Sequence, residues 1–136
     1  MNKRNSIDSI SDAEINRVAA KLFLRIADEW ELTAEQSCQL AGVESAEIME
    51  GWNRQVDKNE PVTITPSTLQ RLSLIAGIYK SVQGIFSGSE QWRGWVHKPN
   101  SQFQGKSALE WMLQGDVAGM TDVRRYLETQ YSGAYY

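Results

Sequence analysis

One cysteine, one histidine and three prolines stand among 136 residues. A single Cys excludes a disulfide framework and leaves no second thiol for a zinc pair. One His leaves no Cys/His cluster, so no metal site is expected. Ten Gly and three Pro are too few for a collagen-like or low-complexity chain. No apolar run approaches the roughly 20 residues that span a bilayer. Met1 to Ser11 is polar and lacks the apolar core of a secretion signal. The expectation is a cytoplasmic protein with no membrane partner. Basic charge is also short: 14 Lys and Arg face 17 Asp and Glu, a net charge of −3. That balance excludes a strongly basic protein that coats nucleic acid. The shortage is local. Residues 1–60 hold seven basic and twelve acidic residues, whereas residues 61–136 hold seven basic and five acidic.

What the chain does have is a core and aromatic surface. It is 41% apolar, with five Trp and five Tyr, and its length fits one domain or two small helical units that share a core. Residues 1–11 read as a flexible tail. Ser11-Asp-Ala-Glu14 is a capping-box pattern. Ile15, Val18, Leu22, Phe23, Ile26 and Trp30 come next at helical spacing, which predicts a helix over 12–31. Thr33-Ala-Glu-Gln36 is a second capping box and opens a short helix ending near Ala41, with Gly42 beyond it. A further helix over 45–55 completes a helix-turn-helix pattern with Cys38, Ala41, Val43, Ile48 and Trp52 as its core.

Residues 56–65 read as a linker. Thr65-Pro66 is a helix start, and a wide apolar set predicts a central helix over 66–87, stopped by Gly88. A short helix from Ser89 carries Trp92 and Trp95, and 97–106 is a turn-rich loop. Ser107-Ala-Leu-Glu110 is a third capping box. It opens a helix that Gly115 ends, and a last helix spans about 120–130. Tyr131-Ser-Gly-Ala-Tyr-Tyr136 has no helical pattern. The fold expected is all-α: an N-terminal helix-turn-helix region over 12–60, a compact helical domain over 61–130, and a tail over 131–136.

Catalysis finds no support in these residues. Cys38 sits on an inner helix face and reads as a structural thiol, since reactive thiols need exposure and positive neighbours. His97 reads as a loop-packing residue. There is no Gly-rich phosphate loop after a strand, so no cofactor is expected and the chain is read as a non-enzyme. Two other roles stay open. In a DNA-binding module the second short helix enters the major groove, presenting Ser45, Glu47, Arg54 and Lys58. Glu47 and Glu50 on that face oppose phosphates, so the motif is read equally as a packing or dimerisation unit. In a protein-interaction module, Trp92, Trp95 and Trp111 divide between core and surface. The aromatic tail suits insertion into a partner's cleft, because Tyr carries large contact area on few rotors.

The second half of the chain carries an ordered series: Trp92-Arg-Gly-Trp95, Pro99-Asn100, Phe103, Gly105, Ser107, Leu109, Met112, Gly115, Gly119, Val123-Arg-Arg-Tyr-Leu127 and Gly133. This series resembles the toxin-binding domain of the Xre/MbcA/ParS antitoxin family, over about residues 66–136. Residues 12–58 are similar to the Xre-like helix-turn-helix region of the same antitoxins. The resemblance implies a type II antitoxin that binds a RES-domain toxin, an enzyme that consumes NAD or transfers ADP-ribose from it, and closes its active-site cleft. It also implies homodimers and a complex that represses its own operon by binding operator DNA. By position, Trp92, Asn100, Arg124 and Arg125 match the toxin-binding half, and Tyr131, Ser132, Gly133, Ala134, Tyr135 and Tyr136 match the segment at the toxin's cleft. Two departures stand out: Ala108 where the family usually has Pro, and the acidic Glu44, Glu47 and Glu50 on the recognition helix. The alternative is a stand-alone helix-turn-helix repressor whose C-terminal half is a dimerisation domain.

Overall fold

The structure, a computed structural model, describes residues 3–86 and 88–133, of which 3–11, 89–90 and 131–133 are described by their backbone alone. The order of helices is α1 (Lys3–Glu29), α2 (Ala34–Ala41), α3 (Ala46–Asp57), α4 (Pro66–Ile85), α5 (Ser89–Trp95) and α6 (Ala108–Gly133), with a 3-10 turn at Ser101–Phe103. Among the described residues the only β pairing is an isolated bridge between Pro99 and Ser107. The all-α expectation holds.

α4 is the axle. It starts where Thr65 accepts from the Thr68 amide (3.2 Å) and Pro66 takes the first turn. Leu72, Ile75, Ile78, Tyr79 and Val82 are all buried, a stripe too wide for one neighbour. It packs against α1, α2, α5 and α6. α1 supplies Ala20, Phe23 and Ile26 to the same core, and Trp30 joins them just past its end. α6 supplies Met112, Met120, Val123 and Leu127.

At α2 and α6 the backbone obeys the caps written in the sequence. Thr33 and Gln36 exchange side-chain hydrogen bonds at 2.9 and 3.1 Å, closing the start of α2. Gly42 ends α2 in the left-handed conformation, φ 72°, and the amides of Gly42 and Val43 both donate to the Cys38 carbonyl. Ser107 and Glu110 exchange 3.1 Å bonds at the start of α6. Ala108 is buried there, and the box forms without a proline. The Ser107 amide, then the Ser107 hydroxyl, holds the Glu110 carboxyl below the usual carboxylate range.

Several expectations are corrected. α1 begins at Lys3, so the segment read as a tail is helical from there and the Ser11 capping box lies inside a helix. A capping box can start a helix, but nothing in it stops a preceding one. Ile15 and Val18 are 51% and 56% exposed and line an open groove with Leu69 and Ser73 of α4. Ile48 is 40% exposed and Met49 takes the core position. The linker over 56–65 is anchored: α3 runs to Asp57, and Val62 is buried. α4 ends at Ile85 with Phe86 as its cap, before Gly88. Tyr131, Ser132 and Gly133, read as non-helical, complete the last turn of α6.

α6 is broken once. Asp116 has φ 57° and ψ −139°, a region that a residue with a Cβ rarely enters. The break falls one residue after Gly115, and it reverses enough of the chain to bring the two halves together. A Cβ on Gly119 would lie 2.5 Å from the Trp111 carbonyl oxygen. Glycine is required here by the close approach of backbone to backbone.

Candidate functional site

The loop before α6 is built around Asn100. Its amide donates to the Lys106 carbonyl, its own carbonyl accepts from Phe103 and Gly105 (each 3.0 Å), and its Oδ1 accepts from the Gln102 amide at 2.9 Å. Gly105, φ 81°, lets the chain turn back. This ring of bonds buries Phe103 while Gln102 stays exposed.

Phe103 centres an aromatic ladder. It stacks with Trp111 at 5.8 Å and meets Tyr126 edge-on at 5.4 Å, and Tyr126 stacks with Trp95 at 6.4 Å. Trp111 is fixed further by its indole N–H, which donates to Asp122 Oδ2 at 3.1 Å. Beside the ladder opens a cleft of about 400 Å³, lined by Gln102, Phe103, Trp111, Asp122, Arg125, Tyr126, Thr129 and Gln130. One wall is a single stripe of α6. Residues 122, 125, 126, 129 and 130 recur at helical spacing. The cleft therefore offers aromatic faces, one guanidinium, one carboxylate and exposed amide and hydroxyl groups. That mixture suits a partner's polypeptide surface.

The predicted partner-binding residues separate. Arg125 lines the cleft. Arg124, one residue earlier and about 100° around the helix, instead lies over α4. A Cβ on Gly77 would meet its guanidinium at 3.1 Å, and its Nε pairs with Glu128 at 3.2 Å. Trp92 belongs to another cluster, edge-on to Tyr79 at 5.7 Å with Arg93 over its ring. Asn100 works inside its loop. Tyr131, Ser132 and Gly133 continue the helix that walls the cleft, while Ala134, Tyr135 and Tyr136 lie outside the described residues. Sequence reasoning missed Gln102, Asp122, Thr129 and Gln130. It read Trp111 as core or surface, and the residue is half-buried on the cleft wall. The stripe on α6 was the available signal.

A second charged recess lies between α1 and α5, lined by Arg25, Asp28, Glu29, Glu31, Arg93, Gly94 and His97. Arg25 and Arg93 each stand 3.7 Å from Glu29, and the Tyr79 hydroxyl donates to the same carboxylate. Burial, then this bond to Glu29, pushes the Tyr79 hydroxyl above its ordinary value. His97 Nε2–H donates to the Trp30 carbonyl at 2.6 Å. His97 thus ties the loop after α5 to the end of α1, a packing role.

On α3, Glu47 and Arg54 are exposed, with Ser45 at the N-cap and Lys58 at the C-cap. Glu44 and Glu50 are exposed too, so the outward face is mixed in charge. Among the described residues no helix is long and apolar enough to cross a membrane.

The family model for the Xre/MbcA/ParS antitoxin C-terminal toxin-binding domain matches residues 81–133. That span contains the Asn100 loop, the aromatic ladder and every residue of the cleft. The uncharacterized protein y4oB of Sinorhizobium fredii (strain NBRC 101917 / NGR234) is 38% identical over 119 residues, covering 86% of this chain and 88% of that protein. The chain belongs to the Xre/MbcA/ParS antitoxin family.

Proposed function

We propose that this chain neutralises a RES-domain toxin acting on NAD, in the cytoplasm, by seating the second half of α6 at the toxin's catalytic mouth. The observation that carries the reading is one of continuity. The stripe that walls the cleft, Asp122 to Gln130, runs without interruption into Tyr131, Ser132 and Gly133. From Asp122 to Gly133 the helix advances about 16 Å at 1.5 Å per residue. A helical projection of that length loses less conformational freedom on docking than a free peptide does. Arg125 and the aromatic ladder grip the toxin's rim, and residues 131–136 occlude the path by which NAD enters. The chain forms and breaks no bond.

Two further roles accompany this one. α2, the Gly42 turn and α3 carry Arg54 and Lys58 towards operator DNA, with Ser45 and Glu47 beside the bases. Exposed Ile15 and Val18 on α1 offer an apolar face to a second copy and support a homodimer.

The test uses the product of the neighbouring reading frame. Full-length chain mixed with it abolishes NAD consumption, and a chain lacking residues 131–136 binds but leaves consumption running. Full inhibition by the truncated chain would remove the tail from the mechanism. A neighbouring product with no effect on NAD would remove the RES assignment.

A further inference from the structure

Arg71 sits on α4 with its side chain only 14% exposed, and it touches both halves of the molecule. At one end it pairs with Asp116, the residue at which α6 breaks. Along its stem it fills the space beside Gly42. A Cβ there would lie 2.6 Å from its Nε and 2.9 Å from its Cδ. A second link runs parallel. Leu113 lies in the last turn before the break, where the helix's own donors run out, and its carbonyl accepts from Gln39 Nε2 of α2 at 2.9 Å. The turn that joins α2 to α3 closes on its own backbone bonds to the Cys38 carbonyl, and the side chain of Arg71 lies against it while pairing with the residue at which α6 breaks.

The cleft spans that break. Trp111 lies before it, and Asp122, Arg125, Tyr126, Thr129 and Gln130 lie after it. An occupant that grips both walls therefore bears on the angle at Asp116. Asp116 is suited to this, because its backbone occupies a conformation a Cβ disfavours and its carboxylate pairs with Arg71. Arg71 itself is largely buried, so its stem beside Gly42 and its guanidinium at Asp116 have little room to move independently.

We propose that Arg71 is a positioning residue that couples the partner cleft to the α2–α3 turn, so that seating a partner on α6 alters the turn at Gly42, and altering that turn alters the cleft. Coupling of this kind is reciprocal. With a toxin as the occupant, which rests on the reading above, the turn presented to DNA differs between the free chain and the complex.

The coupling is measurable in the free full-length chain, so it does not depend on the partner's identity. Arg71→Gln, Asp116→Gly and the double variant are compared by amide hydrogen exchange read residue by residue. Asp116→Gly removes the carboxylate while relieving the backbone. Each single variant accelerates exchange at the Gly42 and Val43 amides about tenfold, the double variant goes no faster, and the Ser37 amide, held by the separate Thr33 cap, is unchanged. Arg71→Gln also moves the Trp111 indole N–H resonance in the cleft. Unchanged exchange at Gly42 and Val43, effects that multiply independently in the double variant, equal acceleration at Ser37, or an unmoved Trp111 resonance would each overturn the coupling. Failure of a toxin to bind would remove the functional reading and leave these results standing.

Discussion

Trp111 and Asp122 lie on the same named helix and yet share a 3.1 Å hydrogen bond. In an unbroken helix eleven residues separate two positions by about 16 Å along the axis. The break at Asp116 and the absent Cβ at Gly119 fold the second half of α6 back until the indole and the carboxylate meet. That contact shapes the wall of the cleft.

Asp122→Asn keeps the shape of the acceptor and removes its charge. The bond from Trp111 becomes neutral, and stability falls by about 1 kcal/mol. Urea unfolding monitored by tryptophan fluorescence measures it. An unchanged midpoint would mean that the pair is exchanged with water at no cost.

Gly119→Ala places a methyl group 2.5 Å from the Trp111 carbonyl oxygen. Backbone faces backbone, so no flexible side chain can yield. The expected loss is about 1–3 kcal/mol. The change should exceed that of Gly115→Ala, where a Cβ meets nothing within 4 Å. Thermal unfolding of the two variants gives the comparison, and equal midpoints would refute the close approach.

Tyr79 supplies a pH dependence. Burial, then the bond to Glu29, raises its hydroxyl above the ordinary tyrosine value. The folded state therefore holds this proton more tightly than the unfolded state. The stability it contributes is fully present below the ordinary tyrosine value and lost as pH rises through the raised one. As pH rises from the ordinary tyrosine value of about 10 upward, the wild type should lose more stability than Tyr79→Phe, which has no such proton. Parallel losses in the two chains would contradict the assignment.

These residues also mark how far the sequence can be read. Helix ends written in local chemistry are legible: Thr33 with Gln36, Gly42, Thr65 with Pro66, and Ser107 with Glu110 each act through bonds within four residues. The break at Asp116 is legible to within one residue, since glycine before it weakens the helix, but the partner of Asp116 there, Arg71, stands 45 residues away. The start of α1 is misplaced because a capping pattern constrains only the turn on its C-terminal side and is silent about residues on its N-terminal side. Arg124 and Arg125 read together as one basic patch. Adjacent residues on a helix point about 100° apart, and which of them meets α4 depends on Gly77. The cleft itself is hidden from the sequence, because Gln102 and Gln130 become neighbours only when the chain has folded.

That division between the two arginines gives the most direct measurement of the central claim, that the cleft beside α6 is where the toxin binds. Titration calorimetry compares the full-length chain with Arg125→Glu and Arg124→Glu, each against the toxin encoded beside it. Reversing charge in the cleft should weaken binding by Arg125→Glu at least about tenfold, or ~1.4 kcal/mol. Arg124→Glu, which disturbs the ridge over Gly77, should cost clearly less. Affinity unchanged by Arg125→Glu would place the toxin on another face and contradict the account.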